Sequence, residues 1–315
     1  MRASLIHPQL RWQFRWAPSL PVANKPLIAM TRVALKTLSH YRQPTGVTRE
    51  VIEFAQGGAV EIYTPAERSS DGALLWIHGG GLVLDRTGLD NRSCIETARA
   101  LGIVVVSVTY RLAPEHPFPV PLHDCVRAWD WLQENAEKRG IDPQRLAIGG
   151  QSAGGGLTAS LVQLLHDRGG IQPVAQWLFC PMLDDRTAQC SDLQATRYPI
   201  WDNRSNRAAW RAYLGAAAGA DETPDYAVPA RREVLTGLPA TWIGTGDVEL
   251  FYDENVRYAD ALRAQGVAVE HDVVAGAIHA FEMLAYRTEV AKQYWARAWS
   301  WLATQLDGAG QPTDQ

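Results

Sequence analysis

Apolar and polar positions repeat in two different ways along this chain, and the places where the period changes divide it into elements. From Val51, VIEF and AVEIY read as two short strands joined at Gly57-Gly58, a hairpin signal. ALLWIH at 73–78 and IVVVSVTY at 103–110 are apolar on both faces, which predicts central strands of a mostly parallel sheet. RLAIGG (145–150), VAQWLF (174–179), ATWIGTG (240–246) and residues 269–274 continue the series. Between strands the period lengthens. Val126, Trp129 and Leu132 recur three apart within a predicted helix over 121–138, closed near Gly140. Further helices are expected over 153–167, 253–265 and about 287–305. This β-α-β alternation is the sequence form of a doubly wound α/β domain. Residues 184–225 interrupt it and read as an insertion with one helix. Residues 1–45 carry Trp12, Phe14, Trp16 and Tyr41 with little period-2 pattern, and predict helices ahead of a main domain over 46–315. The polar tail from Asp307 is expected to fray.

Composition narrows the class. The chain has 315 residues, 46% hydrophobic and 20% charged, which excludes a disordered or fibrous protein. The net charge of −4 gives no basic field over the whole chain and argues against a nucleic-acid binder. No apolar run approaches the roughly 18 residues of a membrane span. Arg11 and Arg15 interrupt any signal-peptide core at the start. Cys94, Cys125, Cys180 and Cys190 form no CxxC pair, so neither a disulfide framework nor a metal site is expected, and a cytoplasmic location is.

Chemistry concentrates at a few positions. Gly150-Gln151-Ser152-Ala153-Gly154 falls between a predicted strand and a predicted helix, the context in which G-x-S-x-G places a nucleophilic serine on a sharp turn. A phosphate-binding turn is the competing reading of the same glycines. His78-Gly79-Gly80-Gly81 follows the strand ALLWI, and its N–H groups can face a developing oxyanion. Gly79 and Gly80, joined by the N–H of Ala153, are the expected donors, with His78 a structural prop. A weakly nucleophilic hydroxyl needs a base. Of eight histidines, His279 stands on a small-residue loop after a late strand, whereas His271 lies inside that strand. The acid that orients the base is expected after strand 240–246, where Asp247 and Glu249 are both candidates. Leu82 and Val83, beside the glycines, are expected to touch substrate.

Taken together, HGGG (78–81), YRLAPEHPFP (110–119), GIDPQRLAIGGQSAGG (140–155) and PMLDD (181–185) resemble, in order and spacing, the hormone-sensitive-lipase family of α/β-hydrolases, the bacterial family IV esterases. The resemblance runs from about Gly72 to Phe281. It implies an α/β-hydrolase fold with a helical cap built from residues 1–45 and about 186–225. The family's D-x-L/F-x-D-E segment, aligned on Asp253-Glu254, puts Glu249 in the triad slot and leaves Asp247 as runner-up. It also implies that cap aromatics, among them Trp12, Phe14, Trp16, Trp201, Trp210 and Tyr213, line an acyl or alcohol pocket or pack the cap. Arg111, Glu115 and His116 are expected to form one structural polar cluster, with Asp124 structural as well. Two departures stand out: Gln151 replaces the acidic residue usual before the nucleophile, and Ala280 a common glycine after the base.

The expectation is therefore a serine carboxylic ester hydrolase for short- to medium-chain acyl esters. Ser152 is the nucleophile, His279 the base and Glu249 the acid. Its partner is a small-molecule ester, with no cofactor, metal, nucleic acid or membrane. The resemblance adds a homodimer paired through the sheet edge. An amidase or formamidase would use the same groups, and a ligand-binding relative would have lost the base histidine.

Overall fold

The computed structural model describes residues 3–22, 24–38, 45–85 and 87–308. Tyr41 lies outside them. Eight strands make one sheet: β1 (Val47–Glu53), β2 (Ala59–Pro65), β3 (Ala73–Ile77), β4 (Val104–Thr109), β5 (Leu146–Gln151), β6 (Ala175–Phe179), β7 (Ala240–Gly246) and β8 (Val269–Val274), in the order β1-β2-β4-β3-β5-β6-β7-β8. The β1–β2 and β2–β4 pairs are antiparallel and every other pair is parallel. The expected hairpin and central strands are thus in place. The helices are α1 (Pro8–Phe14), α2 (Lys25–Leu38), α3 (Thr87–Leu101), α4 (Val120–Asn135), α5 (Ala153–Arg168), α6 (Asn203–Leu214), α7 (Tyr252–Ala264), α8 (Phe281–Leu284) and α9 (Glu289–Gly308). Helix α4 stops three residues short of the expected end, and a 3-10 turn at Glu137–Arg139 leads into Gly140, whose left-handed φ of 65° ends it. Helix α9 runs past Asp307 to Gly308, so the fraying expected from Asp307 does not begin there, and the remainder of the tail lies outside the described residues.

The pleat sends alternate residues to two different cores. On β3, Ala73, Leu75 and Ile77 face an aliphatic layer with Val104, Val106 and Val108 of β4, closed by α4, α5 and α7. Leu74 and Trp76 face the other way, into an aromatic layer. There Trp177 and Phe179 of β6 lie 4.6 Å apart, ring centre to ring centre, and Phe179 sits 4.8 Å from both Trp242 of β7 and Trp295 of α9. Burying rings of this size contributes about 2–3 kcal/mol each before entropy is set against it.

The proline-rich segment after β4 is anchored differently from the expectation. Arg111 makes a two-pronged pair with Asp124 at 2.9 and 2.8 Å, while Glu115 pairs with Arg32 of α2 at 3.0 Å. There is no single Arg111–Glu115–His116 cluster among the described contacts; the segment is pinned at two separate points. Asp124 is buried, accepts the Arg111 backbone N–H at 2.9 Å and pairs with Arg127, which also donates to the Gly57 carbonyl. One carboxylate therefore ties the β1–β2 turn, the segment after β4 and α4 together. Removing it leaves two guanidiniums facing buried main chain. Asp124→Ala is expected to lower unfolding free energy by about 3 kcal/mol, read as the urea midpoint, with turnover per folded molecule falling far less than stability.

Candidate active site

The strand β5 ends and α5 begins with one residue between them, Ser152, at φ 57° and ψ −119°. This left-handed conformation carries strain of roughly 1–3 kcal/mol in a residue with a Cβ. Close packing holds it. A Cβ on Gly154 would come within 2.0 Å of the Ile77 carbonyl oxygen, so only glycine lets α5 lie against the end of β3. The main chain of Ser152 is fixed on both sides, its N–H donating to Phe179 at 2.8 Å and its carbonyl accepting from Met182 at 2.9 Å. The side chain has one direction left, toward the carboxyl edge of the sheet and the positive end of α5.

His279 meets it there. Its Nε2 lies 2.9 Å from Ser152 Oγ, and its Nδ1 lies 2.7 Å from Glu249 Oε2. Glu249 Oε1 accepts from Thr245 Oγ1 at 2.7 Å. A carboxylate can only accept, so Nδ1 carries the imidazole proton and Nε2 is free to take one from the hydroxyl. Phe251 presents its ring edge-on to the imidazole at 5.3 Å. Asp247 is elsewhere: it is exposed, and its Oδ1 accepts the Gly276 N–H at 2.6 Å. Ser152, Glu249 and His279 are each at most 3% exposed.

The HGGG segment wraps the same point. A Cβ on Gly79 would stand 3.3 Å from Ser152 Cβ, which places this backbone against the serine. Ala153 opens α5, so its N–H has no carbonyl four residues back within the helix. Gly80 accepts from Val83 and Leu84 in a tight turn. Gly81 has φ +61°, and a Cβ on it would strike the Trp201 ring at 2.2 Å. Trp201, from the segment ahead of α6, thus lies directly over the loop. Leu82 and Val83 are buried in the aliphatic core. His78 stacks on Tyr110 at 4.2 Å, and its Nδ1 lies 2.7 Å from the Gly79 carbonyl, a structural arrangement. Trp12 and Trp16 face solvent, which fits neither the pocket lining nor the cap packing expected for them.

Two features escaped the sequence reading. Glu254 on α7 is buried and reaches back to accept the Leu183 N–H at 2.7 Å and the Asp184 N–H at 3.3 Å, tying the acid-bearing loop to the segment after β6. Glu282 of α8 is buried three residues after His279 and accepts from Gln151 Nε2 at 3.2 Å. Gln151 is the residue that departs from the usual acidic neighbour, and its amide fills the place with a donor for Glu282. Cys180 Sγ and the ligand atoms of Glu249 and His279 lie within 4.8 Å of one another, a set able to hold a thiophilic ion only by displacing the hydrogen bonds just described.

Burial pushes the Glu282 carboxyl up to about 7, against an ordinary 4.5. The unfolded chain thus releases this proton near pH 4.5 and the folded chain near 7. Stability falls as pH rises through that window and stays down above it, by up to about 3 kcal/mol. Glu282→Gln keeps a partner for Gln151 without the charge. It is expected to melt above the parent at pH 8 and level with it near pH 4.5, in paired thermal melts; a gap that does not change with pH refutes the assignment.

Comparison with known proteins fits this geometry. A family model described as the alpha/beta hydrolase fold matches residues 74–283. Carboxylesterase NlhH of Mycobacterium tuberculosis is 37% identical over 216 residues, covering 67% of this chain and 67% of that one. Among solved structures, a bacterial heroin esterase superposes with a TM-score of 0.88 at 32% identity, over 96% of this chain and 98% of that one. An esterase from the bacterial hormone-sensitive lipase (HSL) family does so with 0.77 at 27%, over 89% and 92%. With this sheet order, a serine on the β5–α5 turn and esterases as its relatives, the chain belongs to the α/β-hydrolase fold family, in its hormone-sensitive-lipase branch of ester hydrolases.

Proposed function

We propose that the enzyme cleaves short- to medium-chain carboxylic esters through a Ser152–His279–Glu249 triad. The unbroken hydrogen-bonded line from Thr245 through Glu249 and His279 to Ser152 Oγ carries this reading. Ser152 Oγ attacks the ester carbonyl carbon as His279 Nε2 takes its proton. Glu249 holds the imidazole in the needed tautomer and stabilises its positive charge. The carbonyl oxygen becomes an oxyanion held by the N–H groups of Gly79, Gly80 and Ala153, each worth about 3 kcal/mol in the transition state. The imidazolium then gives its proton to the leaving alkoxide as the C–O bond breaks. Water attacks the acyl carbon as His279 Nε2 takes its proton, and the imidazolium then gives that proton to Ser152 Oγ as the acyl C–O bond breaks and the acid is freed.

In this reading residues 1–45 and 186–225 form the cap. Two contacts support it: Trp201 lies on Gly81, and the Arg32 Nε donates to the Val83 carbonyl at 2.8 Å. The bulk of Trp201 beside the oxyanion glycines favours short acyl groups, with Leu82 and Val83 forming the wall behind. Pairing of two copies through the open edge of β8, and a cytoplasmic setting, complete the reading. Among the described residues no helix is long and apolar enough to cross a membrane.

Hydrolysis of p-nitrophenyl acetate, butyrate, octanoate and laurate is expected to peak at the short or middle members, and Ser152→Ala to lose about 10⁴-fold or more in kcat. Turnover of the matching anilides in place of the esters would assign an amidase instead. Glu249→Gln is expected to lose about 10³–10⁴-fold in kcat and Asp247→Asn less than about threefold; the reverse order moves the acid to Asp247.

A further inference from the structure

We infer that the outward face of the N-terminal helices docks the enzyme on an anionic lipid surface, from which it takes its ester. Three observations carry this. The first is exposure. Leu5, Trp12, Trp16, Met30 and Val33 are 58–84% exposed, although an ordinary surface helix turns polar residues outward. On α2 the outward stripe is Pro26, Ala29, Met30 and Val33, at helical spacing and wholly apolar, while Ile28 and Thr31 face inward. On α1, Leu10 and Phe14 fill the core and Trp12 points out.

The second is charge. Residues 1–49 contain eight Arg and Lys and not one Asp or Glu. The remaining chain carries 22 basic against 34 acidic residues. The formal charge of the segment is thus +8 in a chain whose total is −4, although Arg32 and Arg49 are paired with Glu115 and Glu61. Arg15 and Lys25 are exposed, and the Arg15 guanidinium lies 5.0 Å from the Trp12 ring centre. Exposed tryptophans beside cations are the chemistry of a lipid headgroup layer, where the indole sits at the boundary and the cations meet lipid phosphates.

The third is position. The inner faces of both helices rest on the loops that build the site. His7 N–H donates to the Gly276 carbonyl at 2.7 Å, on the loop that carries His279. Arg32 of α2 donates to the carbonyls of Val83 and Ala113, each at 2.8 Å, on the segments beside the oxyanion glycines. Both helices therefore stand beside the loops at the carboxyl edge of the sheet, α1 seated in the aromatic layer through Leu10 and Phe14 and α2 in the aliphatic layer through Ile28. No helix among the described residues spans a bilayer, so the attachment is peripheral. The inference rests on the ester-hydrolase reading for what is hydrolysed, and stands apart from it for what is bound.

The test uses the full-length Ser152→Ala protein and flotation with phosphatidylcholine vesicles, with and without phosphatidylglycerol. Binding is expected only to the phosphatidylglycerol vesicles, weakening as salt is raised. Trp12→Ser/Trp16→Ser, both at exposed positions, is expected to weaken it by about tenfold or more. With Ser152 restored, the double variant is expected to hydrolyse soluble p-nitrophenyl butyrate like the parent and to lose turnover of a butyrate ester embedded in the anionic vesicles. Equal binding to neutral vesicles, no binding at all, or unchanged binding by the double variant overturns the inference. So does a parent dimer that the double variant dissolves into monomers without any vesicle binding, which assigns the face to a second copy of the chain. Vesicle binding with no turnover of any ester keeps the docking surface and sinks the catalytic reading.

Discussion

Everything at the catalytic edge hangs on one backbone junction: a single non-glycine residue held left-handed between β5 and α5. Ser152 cannot relax toward ordinary helix or strand geometry, because its N–H belongs to Phe179, its carbonyl to Met182, and Gly154 is pressed against Ile77. Energy stored in this turn is balanced by the sheet on one side and the full length of α5 on the other. The same close approach brings HGGG alongside, since β3 and β5 are neighbours in register, with Ile77 opposite Gly150. The proposed nucleophile and the proposed oxyanion donors are thus placed by one packing constraint rather than by two independent loops.

The other groups arrive by the same parallel logic. β7 runs parallel beside β6 and β8 parallel beside β7, so the loop that follows β7 and the one that follows β8 open at the edge where Ser152 stands. Glu249 and His279 come from those two loops. Val248 N–H donates to the Ala277 carbonyl at 3.0 Å, which joins the acid-bearing and base-bearing loops through main chain before any side chain meets. Asp247 is spent on that junction, holding the Gly276 N–H, which explains why two carboxylates so close in sequence have such different surroundings.

Much of this was legible in the chain, and unevenly. Strands buried on both faces announce themselves as continuous apolar runs, so the sheet and the Ser152 turn could be read directly. The residues at 78–81 and His279 followed from their place after strands. The choice of Glu249 over Asp247 needed the family pattern, because both stand on one short loop. Glu282, Glu254 and Trp201 left no local signal: each acts across more than 65 residues of chain, on Gln151, Leu183 and Gly81 in turn. The outward tryptophans were misassigned for a related reason. An aromatic in a helix-forming stretch reads as buried, and only the packing of Leu10 and Phe14 on the opposite side shows which way Trp12 must turn.

The unequal faces of the sheet have an optical consequence. Trp76, Trp177, Trp242 and Trp295 touch through Phe179 in one dry layer, beneath α9 and away from the nucleophile. Indoles at such separations share excitation and sit in a fixed asymmetric field, so the near-ultraviolet circular dichroism of the native protein carries a contribution from the seating of Trp295, and with it of α9. Loosening of the C-terminal helix would therefore remove the part of the signal that comes from this layer while the hydrogen bonds between Ser152, His279 and Glu249 still stood.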